Sequence, residues 1–175
     1  MLEHASVGRI SCMVILRDVV VLGSDDGMTQ LYALHLPNPH LETRAALPGH
    51  TAGVLCCAAS STWSIAVTGS ADHSVIVWDL NRCRFVRQLK EPDQPIQLVA
   101  IDDQRGWIAA AAGSEVWVWS INGFLLVHQS TRSATNDPPS SMTFVARDFH
   151  VDKLGVLVTG HRDCIVMWDI VSNHA

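Results

Sequence analysis

Glycine recurs in this chain at a spacing that few folds can use. Gly23, Gly69, Gly113 and Gly160 each close an apolar run, at steps of 46, 44 and 47 residues, and a bulky aromatic follows each of them: Tyr32, Trp78, Trp119 and Trp168. A repeat of that length, with strand-length apolar runs between turn residues, calls for a series of equal units, each burying its faces against its neighbours. Four such units fill nearly all of the 175 residues.

The best-preserved unit is Gly49–Lys90, GHTAGVLCCAASSTWSIAVTGSADHSVIVWDLNRCRFVRQLK. Strands are predicted near Val54–Ala59, Ser64–Thr68, Ser74–Trp78 and Arg84–Leu89. The middle two are almost continuously apolar, as strands covered on both faces are. The last carries Arg84, Arg87 and Lys90 and is predicted to be a solvated edge, where charge also discourages edge-to-edge pairing.

The same four-strand plan extends over units 1–47, 48–90, 91–129 and 140–170, with 130–139 as an irregular loop, all within one domain spanning 1–175. Asn122-Gly123 between apolar runs signals a tight hairpin. The two prolines of the His35–His40 connection exclude a strand there. After Ile170 too few residues remain for a fourth strand, so the last unit is expected to be incomplete. The expected class is all-β: about four antiparallel units of four strands.

Composition excludes several function classes. The formal net charge is −5, and Lys90 and Lys153 are the lysines, so there is no electrostatic footprint for nucleic acid. The five cysteines are odd in number, lie mostly in apolar runs and lack CxxC spacing, which predicts buried free thiols. No apolar run reaches the ~20 residues of a membrane-spanning helix, and the start lacks the order of a signal peptide. Direct membrane insertion is not expected, and the expected location is cytoplasmic, at most peripheral to endomembranes through partners. The nine histidines show no metal-ligand spacing, and no glycine-rich phosphate loop occurs, so no cofactor, no metal and no catalytic residue is assigned.

Gly49-His50, Thr68-Gly69-Ser70-Ala71-Asp72 and Trp78-Asp79 together resemble the signature of WD-repeat β-propellers. The resemblance implies a buried hydrogen-bond network through His50, Thr68, Asp72 and Trp78. Fragments of the set recur as His4 with Asp26, and as Thr159, Asp163 and Trp168, as scaffolding does and a single active site does not. A catalytic use of His50 and Asp72, with Thr68 or Cys57 as nucleophile, would require an accessible His50. The resemblance also places a protein-binding face on the turns after each second strand and the loops between units: Asp25, Ala71, His73, Arg162 and the 91–95 and 130–140 loops.

The phrases WDLNRCRFVRQL, WVWSINGFLL and VTGHRDCIVMW are similar, more narrowly, to the C-terminal WD repeats of BEACH-domain proteins of the neurobeachin and Alfy type. That likeness spans about His50 to Ile170. It implies a non-enzymatic docking module of a scaffold acting in vesicle traffic and autophagy, with proteins as partners. The alternative is a stand-alone WD adaptor of a ubiquitin-ligase or signalling complex. Propellers of this kind close by pairing an N-terminal strand with the last blade. Only three residues precede His4 and nothing after Ile170 replaces the missing strand, so an open ring is expected, its missing blades coming from the same or another chain.

Overall fold

A strand with one wet face alternates apolar and polar residues; the central runs of this chain do not, because both faces of each are covered. The computed structural model describes residues 8–90, 92–131, 137–145 and 154–171, and over them the chain is all-β. The first sheet comprises β1 (Ile10–Leu16), β2 (Val19–Ser24), β3 (Thr29–His35) and β4 (His40–Leu47). The second comprises β5 (Val54–Ser60), β6 (Ile65–Ser70), β7 (Val75–Asp79) and β8 (Arg84–Leu89). The third comprises β9 (Ile96–Asp102), β10 (Trp107–Ala112), β11 (Glu115–Ser120) and β12 (Leu125–Ser130). The fourth holds β13 (Ser141–Val145), β14 (Leu154–Gly160) and β15 (Ile165–Val171).

Within each sheet the strands pair in chain order, all antiparallel. The inner strands β1, β5, β9 and β13 lie side by side in succession, which sets the four sheets as blades of an arc. Among the described residues no strand pairing joins the fourth sheet to the first, so the ring is unclosed.

Three cores fill the three blade junctions. Val21, Leu31 and Leu47 of the first blade pack on Ala66, Ile76 and Trp78 of the second. Val67, Val75 and Val77 meet Ile108, Ala110 and Trp119 of the third. Ala109, Val116 and Val118 in turn meet Leu157 and Ile170 of the fourth. Strands β6 and β10 are consequently buried along their whole length, while β8 and β12 are largely exposed.

The recurring glycine has a packing reason in the first two blades. A Cβ on Gly69 would sit 2.4 Å from Ile96 Cγ2, and one on Gly23 would sit 2.5 Å from Val54 Cγ1. The innermost strand of the next blade thus closes directly onto bare backbone. Gly113 departs from this role: it lies beyond the end of β10, in the turn to β11, with φ of 56°. The aligned spacing therefore hides two structural positions. In the Asn122-Gly123 hairpin only Gly123 takes positive φ, at 83°.

The cysteines correct another expectation. All five are free but half-buried rather than buried, and Cys83 and Cys164 sit in connections outside the strands. Apolar neighbours in sequence do not ensure full cover when a residue sits at a blade's inner edge or in a turn.

Candidate interaction face and its buried support

The turn between β6 and β7 is held from below by a chain of side-chain hydrogen bonds. Trp78 donates its indole N–H to Thr68 Oγ1 at 2.8 Å. Thr68 Oγ1 lies 2.8 Å from His50 Nε2, and His50 Nδ1 lies 3.1 Å from Asp72 Oδ2. Every polar atom is matched if the Thr68 hydroxyl donates to Nε2 and a neutral His50 donates from Nδ1 to the carboxylate. Asp72 also accepts from the Thr51 N–H at 2.8 Å, the Ser74 hydroxyl at 2.6 Å and the Ser74 N–H at 3.0 Å.

The electrostatics agree with that assignment. Burial lowers the His50 pKa from its ordinary value, against the pull of Asp72. Burial raises the Asp72 carboxyl, but the Ser74 hydroxyl, the Thr51 N–H and His50 together hold it below the ordinary carboxylate range. A neutral imidazole beside a carboxylate could suggest a catalytic base. The His50 side chain, however, has 0% of its surface exposed, so it cannot reach a substrate, and both of its nitrogens are already engaged.

The fourth blade rebuilds this support from different parts. Trp168 donates to Thr159 Oγ1 at 3.0 Å, and Thr159 Oγ1 lies 3.1 Å from His161 Nε2. The imidazole comes from the β14–β15 turn rather than from the loop before the blade, and its Nδ1 donates to the Asp137 backbone carbonyl at 3.0 Å. Sequence reading paired Asp163 with Thr159 and Trp168 and missed His161. The signal was present in Thr159-Gly160-His161, displaced from where the repeat carries its histidine. In the first blade His4 lies outside the described residues. There Asp26 accepts from the Ser24 hydroxyl and, at 3.1 Å, from the Met28 N–H, which hold its carboxyl below the ordinary range.

Asp25, Ala71, His73 and Arg162 all fall in turns that join the second and third strands of their blades, β2–β3, β6–β7 and β14–β15. Asp25, His73 and Arg162 are exposed, whereas Ala71 is half-buried and gives its N–H to the Gly53 carbonyl at 2.9 Å. The loop between β4 and β5 runs across neighbouring turns. A Cβ on Gly53 would approach the Asp25 carbonyl at 3.0 Å, and one on Gly27 would approach the His50 carbonyl at 3.0 Å. The turns and inter-blade loops of the first two blades thus form one continuous edge. Of the other expected loops, 92–95 brings Gln94 against Gly113, and Asp137 meets His161; Glu91 and residues 132–136 lie outside the described residues.

Among the described residues no cluster of His, Cys, Asp and Glu could hold a metal ion, and no helix is long and apolar enough to cross a membrane. Two clefts lie elsewhere, between blades. One, of about 190 Å³, runs along Leu16, Arg44 and Leu80, and the other, of about 390 Å³, along Trp63, Val86 and Ile121.

Residues 41–79 match the family described as "WD domain, G-beta repeat". Over 170 residues the chain is 33% identical to Protein SPIRRIG of Arabidopsis thaliana, covering 93% of this chain and 5% of that protein. It is 34% identical over 172 residues to BEACH domain-containing protein A2 of the same plant, again covering 93% of this chain and 5% of the relative. It is 33% identical over 97 residues to the human Lysosomal-trafficking regulator, covering 53% of this chain and 3% of that protein. The chain therefore spans about one-twentieth or less of the length of these relatives. In fold it is similar to U3-55K, with TM-score 0.78 at 15% identity over 95% of this chain and 50% of that one. It is also similar to the computationally designed Ika4 protein, with TM-score 0.73 at 20% identity over 97% of this chain and 96% of that one. By its repeat, its propeller blades and these relatives, the chain belongs to the WD-repeat family, and its homologues are BEACH-domain/WD-repeat proteins.

Proposed function

We propose that this chain is a non-catalytic docking module of a BEACH-type scaffold, and that it presents proteins of vesicle traffic or autophagy to the machinery around it. One observation carries the reading. Exposed side chains of mixed charge, Asp25, His73 and Arg162, stand on turns of the same topological kind, and the β6–β7 turn is braced by a buried network. Rigid turns suit recognition, because little ordering entropy is lost when a partner binds. The name of one relative, Lysosomal-trafficking regulator, supports the choice of pathway. Peripheral association with endomembranes through these partners follows from the same reading.

Proximity labelling in cells tests it, comparing the wild-type chain with the triple variant Asp25→Ala, His73→Ala and Arg162→Ala. The expected result is a labelled set rich in vesicle-traffic or autophagy proteins that the triple variant loses. An unchanged set would reject the face. A set built of ubiquitin-ligase or signalling subunits would replace the pathway with that of a stand-alone adaptor.

A further inference from the structure

Two thiols meet at the inner edge of the junction between the first two blades. Cys12 stands on β1 and Cys57 on β5, inner strands that lie side by side. The Cys57 thiol donates a hydrogen bond to the Cys12 sulfur. Packing places that sulfur at the junction as well. A Cβ on Gly23 would lie 2.7 Å from Cys12 Sγ and 2.5 Å from Val54 Cγ1, so the sulfur and β5 crowd the same point. Both cysteines are half-buried, and Leu55, on the same strand as Cys57, is exposed. The next junction repeats this arrangement with a single thiol. Cys56 opposes Gly69 as Cys12 opposes Gly23, and a Cβ on Gly69 would meet Cys56 Sγ and Ile96 in the same way. Val99, however, stands three residues after Ile96, where Cys57 stands three after Val54. One junction thus carries a pair of thiols, and the next a thiol and a valine packed on one core.

We infer that Cys12 and Cys57 are a reversible dithiol–disulfide pair, oxidised by a hydroperoxide, that staples the first blade to the second. The two sulfurs have separate roles. The Cys57 hydrogen bond holds the Cys12 pKa below the ordinary thiol value, against the effect of burial, which makes Cys12 the nucleophile. Donating that bond, together with burial, raises the Cys57 thiol, so Cys57 serves as the resolving group. The Cys12 thiolate attacks one oxygen of hydrogen peroxide. An S–O bond forms, the O–O bond breaks, and the departing hydroxide takes up the proton that Cys12 gave, leaving as water. The Cys57 sulfur then attacks the sulfenic sulfur of Cys12. An S–S bond forms, the S–O bond breaks, and the leaving hydroxide takes the Cys57 proton as a second water. Two thiols lose two electrons in all, and one peroxide becomes two waters. The bond joins the two blades whose turns form one continuous edge, and a thiol reductant reverses it.

Non-reducing peptide mapping of the full chain tests this, after brief treatment with hydrogen peroxide and alkylation of the remaining thiols. Trypsin releases Cys12 on residues 10–17 and Cys57 on residues 45–82, so the bond appears as one linked pair of peptides. The wild type and Cys56→Ser are expected to give the linked pair, and dithiothreitol to abolish it. Cys57→Ser is expected to stop at the sulfenic acid, trapped on Cys12 by dimedone, and Cys12→Ser to give neither product. The oxidised wild type should melt roughly 5–15 °C above the reduced form, since the bond closes a long loop. Cys57→Ser should show no such rise. Circular dichroism checks the fold of each variant, and Cys12→Ala and Cys57→Ala repeat the test if serine unfolds the chain. A folded wild type that gives no linked pair would overturn the inference. A linked pair that persists in Cys57→Ser, which would make Cys56 the partner, or a bond between two chains, seen at twice the mass on a non-reducing gel, would overturn it equally.

Discussion

Thr68 Oγ1 stands 2.8 Å from both the indole nitrogen of Trp78 and Nε2 of His50, so one hydroxyl serves two buried groups at once. Its acceptor side takes the Trp78 N–H and its donor side supplies the proton that His50 lacks. Nothing else of that size offers both.

Thr68→Val keeps the volume and removes the hydroxyl, leaving the Trp78 N–H and His50 Nε2 unmatched. Stability is expected to fall by about 2–4 kcal/mol, since one buried unsatisfied group costs roughly 1–3 kcal/mol. The matching change Thr159→Val should cost less, because Trp168 is only half-buried. Urea denaturation of the two variants checks both the loss and the order.

Acid should weaken the blade through His50 and Asp72 together. The pKa of His50 is lowered in the fold by burial, so its contribution is fully present above the ordinary 6.5 and is lost as pH falls through the folded value. That of Asp72 is also lowered, so its contribution is present above the ordinary 3.8 and is lost as pH falls through its own folded value. Both signs agree: the melting temperature should drop as pH falls below about 6.5, and again below about 4. Asp72→Ala should cost about 1–3 kcal/mol at neutral pH, where it strands the His50 donor and the Thr51 N–H, and should flatten the second drop. A variant that melts like the wild type at pH 7 would reject the network.

Gly69→Ala places a methyl 2.4 Å from Ile96 Cγ2 and 2.7 Å from Cys56 Sγ. The third blade must then move off the second, at about 1–3 kcal/mol for an overpacked core. Gly113→Ala should also destabilise, but mainly for another reason: its φ of 56° disfavours any side chain. The atom its methyl would meet, Gln94 Oε1 at 2.1 Å, ends a flexible side chain that can turn away. Thermal melts of both, with Gly113→Asn as the conformationally tolerant control, separate crowding from backbone strain. Asn should recover part of the loss at position 113 and none at 69.

Burial pushes the Cys56 thiol up to about 12. At pH 8 its thiolate fraction is then on the order of 1 in 10,000, and alkylation in the native state should be correspondingly slow. Mass-spectrometric mapping after iodoacetamide treatment, native against urea-unfolded, should show Cys56 modified only on unfolding. Rapid native labelling there would mean that the junction between the second and third blades opens readily.

The strands were legible because their cause is local. The predicted edge stretch Arg84–Leu89 is bounded by turn residues, and β8 forms over those residues. The second-blade support was legible because its four residues keep the repeat spacing. His161 was not, because a histidine two residues after Thr159 reaches the same hydroxyl through space rather than through the period. Nor was the role of Gly113, since a shortened turn moves the glycine out of the strand without disturbing the count along the chain.

The sequence by itself determined the period, the four-sheet plan and the aromatic of each blade, because each follows from spacing along one chain. Only the tertiary structure decided which side of a sheet is covered. Val77 and Met167 occupy the same register position in their blades, yet one is buried and the other bare. A period of two marks both faces alike, and cover depends on whether another sheet lies beyond.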